Sequence, residues 1–159
     1  WNKFDGNIKL NANIGSSTNF LDLFIENQDE ILFTKVDQKP SYKPYYLPFN
    51  SIHPLHMKRN IPFAMLLRAI RYSSTFQSYA EEREKLRTIL FLNKYSNKII
   101  EEQFKNLFLK YNIDQPLDFH NYNIFREKII NTPEKDSYKF WQNNICSFYI
   151  LFKYETFSR

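Results

Sequence analysis

The chain reads as an α+β fold: a short antiparallel β element of three strands, then a mainly α-helical bundle, with an extra C-terminal strand as an option. In the first third, apolar residues alternate with polar ones, the period of a half-buried strand. From about residue 62 they recur at i, i+3, i+4 and i+7, the period of an amphipathic helix. Between the two regimes lie residues 38–48, QKPSYKPYYLP, with three prolines and three tyrosines, the composition of an extended connector. The resulting division is 1–50 for the β region, 51–111 for the helical bundle, and 112–159 for a helical extension ending in a truncated strand.

Ile8, Leu10, Ala12 and Ile14 stand at strict alternation, so residues 8–14 are expected to form a strand with one wet face. Residues 15–19, Gly-Ser-Ser-Thr-Asn, are expected to be a loop. Residues 20–26 (FLDLFIE) and 31–37 (ILFTKVD) are both strand-like, and residues 27–30 between them have the length of a hairpin connection.

The residue before a proline is pushed away from the helical region, so His53-Pro54 is expected to be extended and the first helix to begin later. Asn60 is then its N-cap and Pro62 lies in its first turn, where a missing N–H costs nothing. Phe63, Leu66, Leu67 and Ile70 make one buried stripe. Arg68 and Arg71, three apart, are neighbours on the surface, and Lys58 and Arg59 precede the first turn. After a break at residues 73–77, Ser78 and Glu81 form a candidate capping box for a second helix to about Asn93, with Tyr79, Leu86, Ile89 and Leu90 inward. Ser96 can cap a third, whose core face is Ile100, Phe104, Leu107, Phe108 and Tyr111. A shorter helix covers Tyr122 to Ile130. Thr132-Pro133-Glu134 opens another, through Trp141, and residues 146–154 (CSFYILFKY) read as a buried strand.

Composition narrows the chemistry. An aromatic content of 18% argues against disorder, and no apolar run is long enough to span a bilayer. The start at Trp1, the end on Arg159 after an apolar run, and a count of two glycines suggest a piece of a larger protein. No secretory signal is visible and the lone Cys146 suits a reducing compartment, so an intracellular, nuclear or cytoplasmic setting is expected. Two glycines leave no nucleophile elbow, phosphate loop or dinucleotide fingerprint. His53 and His56 straddle a proline, and neither Cys146 nor His120 lies at zinc-finger spacing, so no metal site is expected. The doublets Glu81-Glu82 and Glu101-Glu102 fall in helix first turns, where they offset the backbone dipole, and no catalytic residue is assigned.

What remains is a basic region interleaved with aromatics. Lys35, Lys39 and Lys43 stand among Tyr42, Tyr45 and Tyr46, followed by Lys58, Arg59, Arg68 and Arg71. Cations bind phosphates and aromatic faces support bases, although the same residues can equally solubilise an apolar helix while the tyrosines pack. The net charge of +5 is compatible with an anionic partner.

The ordered series runs from residues 8–14 (IKLNANI) through Phe20-Leu21-Asp22-Leu23, a hairpin, and Lys39-Pro40-Ser41 to Tyr46-Leu47. It continues with Ser51-Ile52-His53-Pro54, Lys58-Arg59-Asn60-Ile61-Pro62 and Leu67-Arg68-Ala69-Ile70-Arg71. It resembles the C-terminal part of reverse transcriptases of the Penelope-like retroelement type, in the same order over about residues 3–111. The resemblance implies a fragment of an RNA-directed DNA polymerase that grips the primer–template duplex. It would comprise the last palm strands, the primer grip and a helical thumb, a segment also described in that family as helix-turn-helix. The catalytic aspartates and the magnesium they hold would lie upstream, so this fragment has no cofactor and is not expected to be catalytic alone. Its partners would be nucleic acid, as RNA–DNA hybrid or duplex, and the palm and fingers of the same polypeptide.

By that resemblance the nucleic-acid contacts are Lys39, Ser51, His53, Lys58, Arg59, Arg68 and Arg71; Asp22 also matches a family position, but a lone strand aspartate is expected to be structural rather than a metal ligand. Where many members have arginine-glycine-tyrosine-proline, this chain has Asn93-Lys94-Tyr95-Ser96, a turn expected to need a different backbone solution. The rival readings are a sequence-specific helix-turn-helix DNA-binding module and a structural or protein-interaction domain.

Overall fold

A computed structural model of the chain describes residues 14–38 and 46–132. Strands β1 (Ser17–Phe20), β2 (Leu23–Gln28) and β3 (Ile31–Val36) are followed by helices α1 (Leu55–Tyr72), α2 (Phe76–Leu92), α3 (Asn97–Lys110) and α4 (Tyr122–Asn131), an α+β architecture. The expected strand at 8–14, most of the connector, the helix after Thr132 and the strand at 146–154 lie outside the described residues.

The sheet is an antiparallel meander in the order β1-β2-β3. Its second hairpin stands where the sequence puts it. Gln28 pairs with Ile31, and both turn residues between them, Asp29 and Glu30, have positive φ (49° and 70°). That is the backbone of a type I′ turn, whose twist matches the flanking strands. The first hairpin differs from expectation. Residues 17–20 form a strand rather than a loop, and the stretch 20–26 is broken by a turn, with Phe20 paired to Leu23 and Leu21 at φ 55°. The alternation rule missed β1 because every residue of that strand is exposed, so no buried face imposes a pattern on it.

The helical bundle is built around α1, and here the sequence reading needs its largest correction. The helix begins at Leu55, directly after Pro54, rather than near residue 61. Pro54 is extended (ψ 141°), as expected before a helix, but it is itself the N-cap. Its carbonyl accepts the Met57 and Lys58 amides at 3.1 and 3.4 Å. Asn60 is therefore not a cap and Pro62 is interior, where a proline removes one backbone bond and ordinarily costs about 3 kcal/mol. Burial offsets that cost. Lys58, Ile61, Pro62, Ala64, Leu66, Leu67, Ala69 and Ile70 are buried, too many and too widely spread for one stripe. The helix is surrounded, packing against β3, α2, α3 and α4.

Helix α2 is capped three residues earlier than the expected box, by Thr75, whose Oγ1 accepts the Ser78 amide at 3.3 Å. Ser96 caps α3 as read, and its core face holds: Ile100, Phe104, Leu107 and Tyr111 are buried and Phe108 packs against them. The core then continues past residue 111 through Ile113, Tyr122 and Ile129, so α4 shares it. Tyr122 Oη donates to the carbonyls of Ser73 (2.8 Å) and Ile70 (3.2 Å), and Arg126 Nη2 donates to the Arg71 carbonyl (3.1 Å). These side chains satisfy carbonyls that the end of α1 would otherwise leave open.

The sheet meets the bundle along β3. The Thr34 amide donates to Ser74 Oγ at 3.0 Å and the Ser74 amide donates to the Thr34 carbonyl at 2.9 Å. A loop residue thus pairs with the edge strand as a neighbouring strand would.

Candidate nucleic-acid interface

Two helices joined by a tight turn are the central feature of the surface. Helix α2 ends in a Schellman arrangement: the Tyr95 amide donates to the Leu90 carbonyl (3.1 Å) and the Lys94 amide to the Phe91 carbonyl (3.0 Å). Lys94 has φ 68°, the left-handed conformation that glycine takes with least strain. The chain therefore keeps the geometry a glycine would give here and places a lysine in it, where the sequence suggested a different backbone path. Ser96 then opens α3, its Oγ accepting the Ile99 amide at 3.4 Å.

The preceding segment braces this turn. Tyr95 Oη donates to the Leu47 carbonyl (2.9 Å), the Phe49 amide donates to the Asn93 carbonyl (2.9 Å), and the rings of Phe49 and Tyr95 meet edge to face at 5.2 Å. Burial pushes the Tyr95 phenol well above its ordinary range, as expected for a hydroxyl held neutral by one buried bond.

The residues nominated from sequence divide by what they touch. Lys58 is buried, and its ammonium donates to the Ser51 carbonyl at 2.9 Å and lies 5.2 Å over the Phe49 ring. It ties the loop before α1 to the helix. Ser51 and His53 are half-buried, with Ser51 Oγ and His53 Nδ1 closed to solvent and without a hydrogen-bond partner. Arg68 Nη2 lies 3.2 Å from Asp22 Oδ2, and its guanidinium stands 5.4 Å over the Tyr72 ring. Asp22, in the first hairpin turn rather than on a strand, is thus paired with α1. Arg71 is half-buried near the end of α1, Arg59 is exposed, and Lys39 lies outside the described residues.

From the sequence, the helix from Ser96 to Tyr111 reads as a poor recognition helix because its large residues lie mostly on a core stripe, and that reading leaves its solvent face out of account. With Ile100, Phe104 and Leu107 turned inward, the opposite side presents Lys98, Glu102, Lys105 and Leu109 at i, i+4, i+7 and i+11, all exposed. The two lysines stand about 10 Å apart along the axis. Asn106 is exposed beside them. Glu101, on the flank, is taken by Arg87 of α2, with Nη2 to Oε1 at 2.6 Å. The signal was present in the spacing, since fixing the core stripe also fixes its opposite.

Helices α2 and α3 are thus consecutive helices joined by the turn at residues 93–96. Residues 45–105 match the family described as the animal helix-turn-helix domain. No curated protein and no solved structure matches the chain. No helix among the described residues is long and apolar enough to cross a membrane. Among the same residues no three His, Cys, Asp or Glu side chains converge as a metal centre requires.

Proposed function

We propose that the chain is a helix-turn-helix module that binds duplex nucleic acid, with double-stranded DNA as the first partner to consider. The observation that carries this reading is the match over residues 45–105 to a helix-turn-helix family, a span that holds α1, α2, the α2–α3 turn and the first part of α3. The second helix of such a unit lies in the major groove, with its early residues against base edges. On α3 the outward residues are of suitable chemistry. Lysines at 98 and 105 meet phosphates or guanine, Asn106 matches the edge of adenine, and Glu102 can accept from cytosine. Lys94, at the turn, and Arg59, on α1, add positive charge for the backbone.

The test is fluorescence anisotropy with labelled duplex DNA over a range of salt. Affinity should fall steeply as salt rises, and changing Lys98 and Lys105 together to alanine should flatten the slope of log K against log salt by roughly one for each lysine that meets a phosphate. No binding at low salt would overturn the reading and leave a structural or protein-interaction domain.

A second reading, the thumb of a reverse transcriptase gripping a primer–template, is favoured by the order of sequence motifs over residues 3–111. Those motifs run through the hairpin and helices that Thr34 and Ser74 join. It gives a preference for RNA–DNA hybrid over DNA duplex with no sequence selectivity, and requires upstream palm and fingers as partners. Competition between hybrid and duplex in the same assay separates the two readings.

A further inference from the structure

We infer that Glu102 sets the sequence preference of the duplex face, by requiring the exocyclic amino group of a cytosine opposite it. The inference rests on the duplex-binding reading above and deepens it by naming the residue that selects the base.

In the outward row of α3, Glu102 stands between Lys98 and Lys105, and all three are exposed. Its neighbour Glu101 is held by Arg87 across the α2–α3 contact at 2.6 Å, whereas among the described residues no ion pair or hydrogen bond engages Glu102. Nor does the helix dipole account for it. The sequence puts the Glu101-Glu102 doublet in a first turn, but α3 begins at Asn97 and its first turn holds no acidic residue. The dipole falls off within that turn and gives Glu102 little. A duplex carries one negative charge per about 1.7 Å of its axis, so a carboxylate facing it costs affinity unless a donor meets it. An ionised carboxylate only accepts hydrogen bonds. In the major groove guanine offers two acceptors, and thymine an acceptor and a methyl group, so neither can pair with it. Adenine offers an amino group beside N7, whose lone pair opposes the second carboxylate oxygen. Cytosine offers its amino group with no acceptor beside it. The lysines then hold phosphates, which every duplex supplies, and Glu102 rejects the other three bases at its position. Its place suits the task, being the sixth residue of α3 and inside the matched span 45–105, on the early part of the helix that meets base edges.

The experiment mixes the full 159-residue chain with a duplex DNA library of random sequence at low salt and sequences the bound fraction. The unaltered chain should enrich cytosine at one position. A duplex carrying it should bind roughly fivefold or more tightly than the same duplex with thymine there, the usual effect of one mismatched base pair. Glu102→Ala should lose that preference and bind the random library at least as tightly as the unaltered chain, because a repelling charge is gone. Glu102→Gln, whose amide both donates and accepts, should move the preference from cytosine to adenine. Glu127→Ala, which removes the same charge from an exposed position on α4, should leave the preference unchanged. A cytosine preference that survives Glu102→Ala, or an unaltered chain that binds every duplex equally, overturns Glu102 as the selector while leaving duplex binding in place. A chain that binds no duplex at low salt overturns both.

Discussion

Lys94 holds the turn between α2 and α3 in a conformation that disfavours every residue with a Cβ. At φ 68° it makes the Schellman bonds that glycine ordinarily makes, and its side chain is exposed. A left-handed L-residue costs roughly 1–2 kcal/mol, part of which glycine returns through the greater entropy of its unfolded state. Lys94→Gly should therefore stabilise the domain by about 0.5–1 kcal/mol, read as a higher urea midpoint with an unchanged m-value. If the lysine also meets the nucleic-acid backbone, the same variant should lose affinity. A rise in stability with a fall in binding would show a strained residue kept for its charge. Lys58 illustrates the opposite case. Its charge counts in any composition argument for an anionic partner, but its ammonium is spent on the Ser51 carbonyl.

Helix α1 is held at its C-terminal end by a side chain from outside the matched helix-turn-helix segment. The Tyr122 hydroxyl bonds two carbonyls, of Ile70 and Ser73, at a site with no water access, and its phenol is pushed well above its ordinary range by burial. Tyr122→Phe leaves those acceptors unpaired with little change in volume. It should destabilise the domain by about 1–3 kcal/mol, measurable as a lower thermal or urea midpoint. Most elements were legible in the sequence for reasons visible in particular residues. The Ser96 cap and the Ile100, Phe104 and Leu107 spacing gave α3, and the apolar strands around Asp29-Glu30 gave the hairpin. The start of α1 was not legible, because Pro62 resembles a first-turn proline and only tertiary burial shows that it is interior. Strand β1 was hidden for the opposite reason, having no buried face. In the candidate site, the cations of the region were legible as charges but their partners were not. Asp22 lies far from Arg68 in the chain, and no local spacing announces that ion pair.

At the scale of the whole molecule, three buried tyrosines join parts that are distant in sequence. Tyr95 fastens the segment before α1 to the α2–α3 turn, Tyr122 fastens α4 to α1, and Tyr79 stacks on Tyr122 at 5.3 Å between ring centroids. Burial raises all three phenols. Tyr79 is pushed up to about 12, with nearby Arg83 partly opposing the shift, and Tyr95 and Tyr122 shift in the same direction. The sign of the linkage follows. In the unfolded chain each tyrosine loses its proton near pH 10, while in the folded domain each keeps it beyond that point, so the unfolded state binds fewer protons between the two values. Stability is then fully present below about pH 10 and falls as pH rises towards 12, by at most about 1.4 kcal/mol per pH unit for each tyrosine. Urea midpoints should be insensitive to these groups at neutral pH and drop steeply in the alkaline range, with phenolate absorbance of the buried tyrosines appearing together with unfolding. Tyr95→Phe should make the alkaline slope shallower by about one tyrosine's share, whatever it does to stability at neutral pH. Phenolate absorbance from all tyrosines at an ordinary midpoint, ahead of any loss of structure, would mean that these hydroxyls are open to water and that the joints they make are not closed in solution.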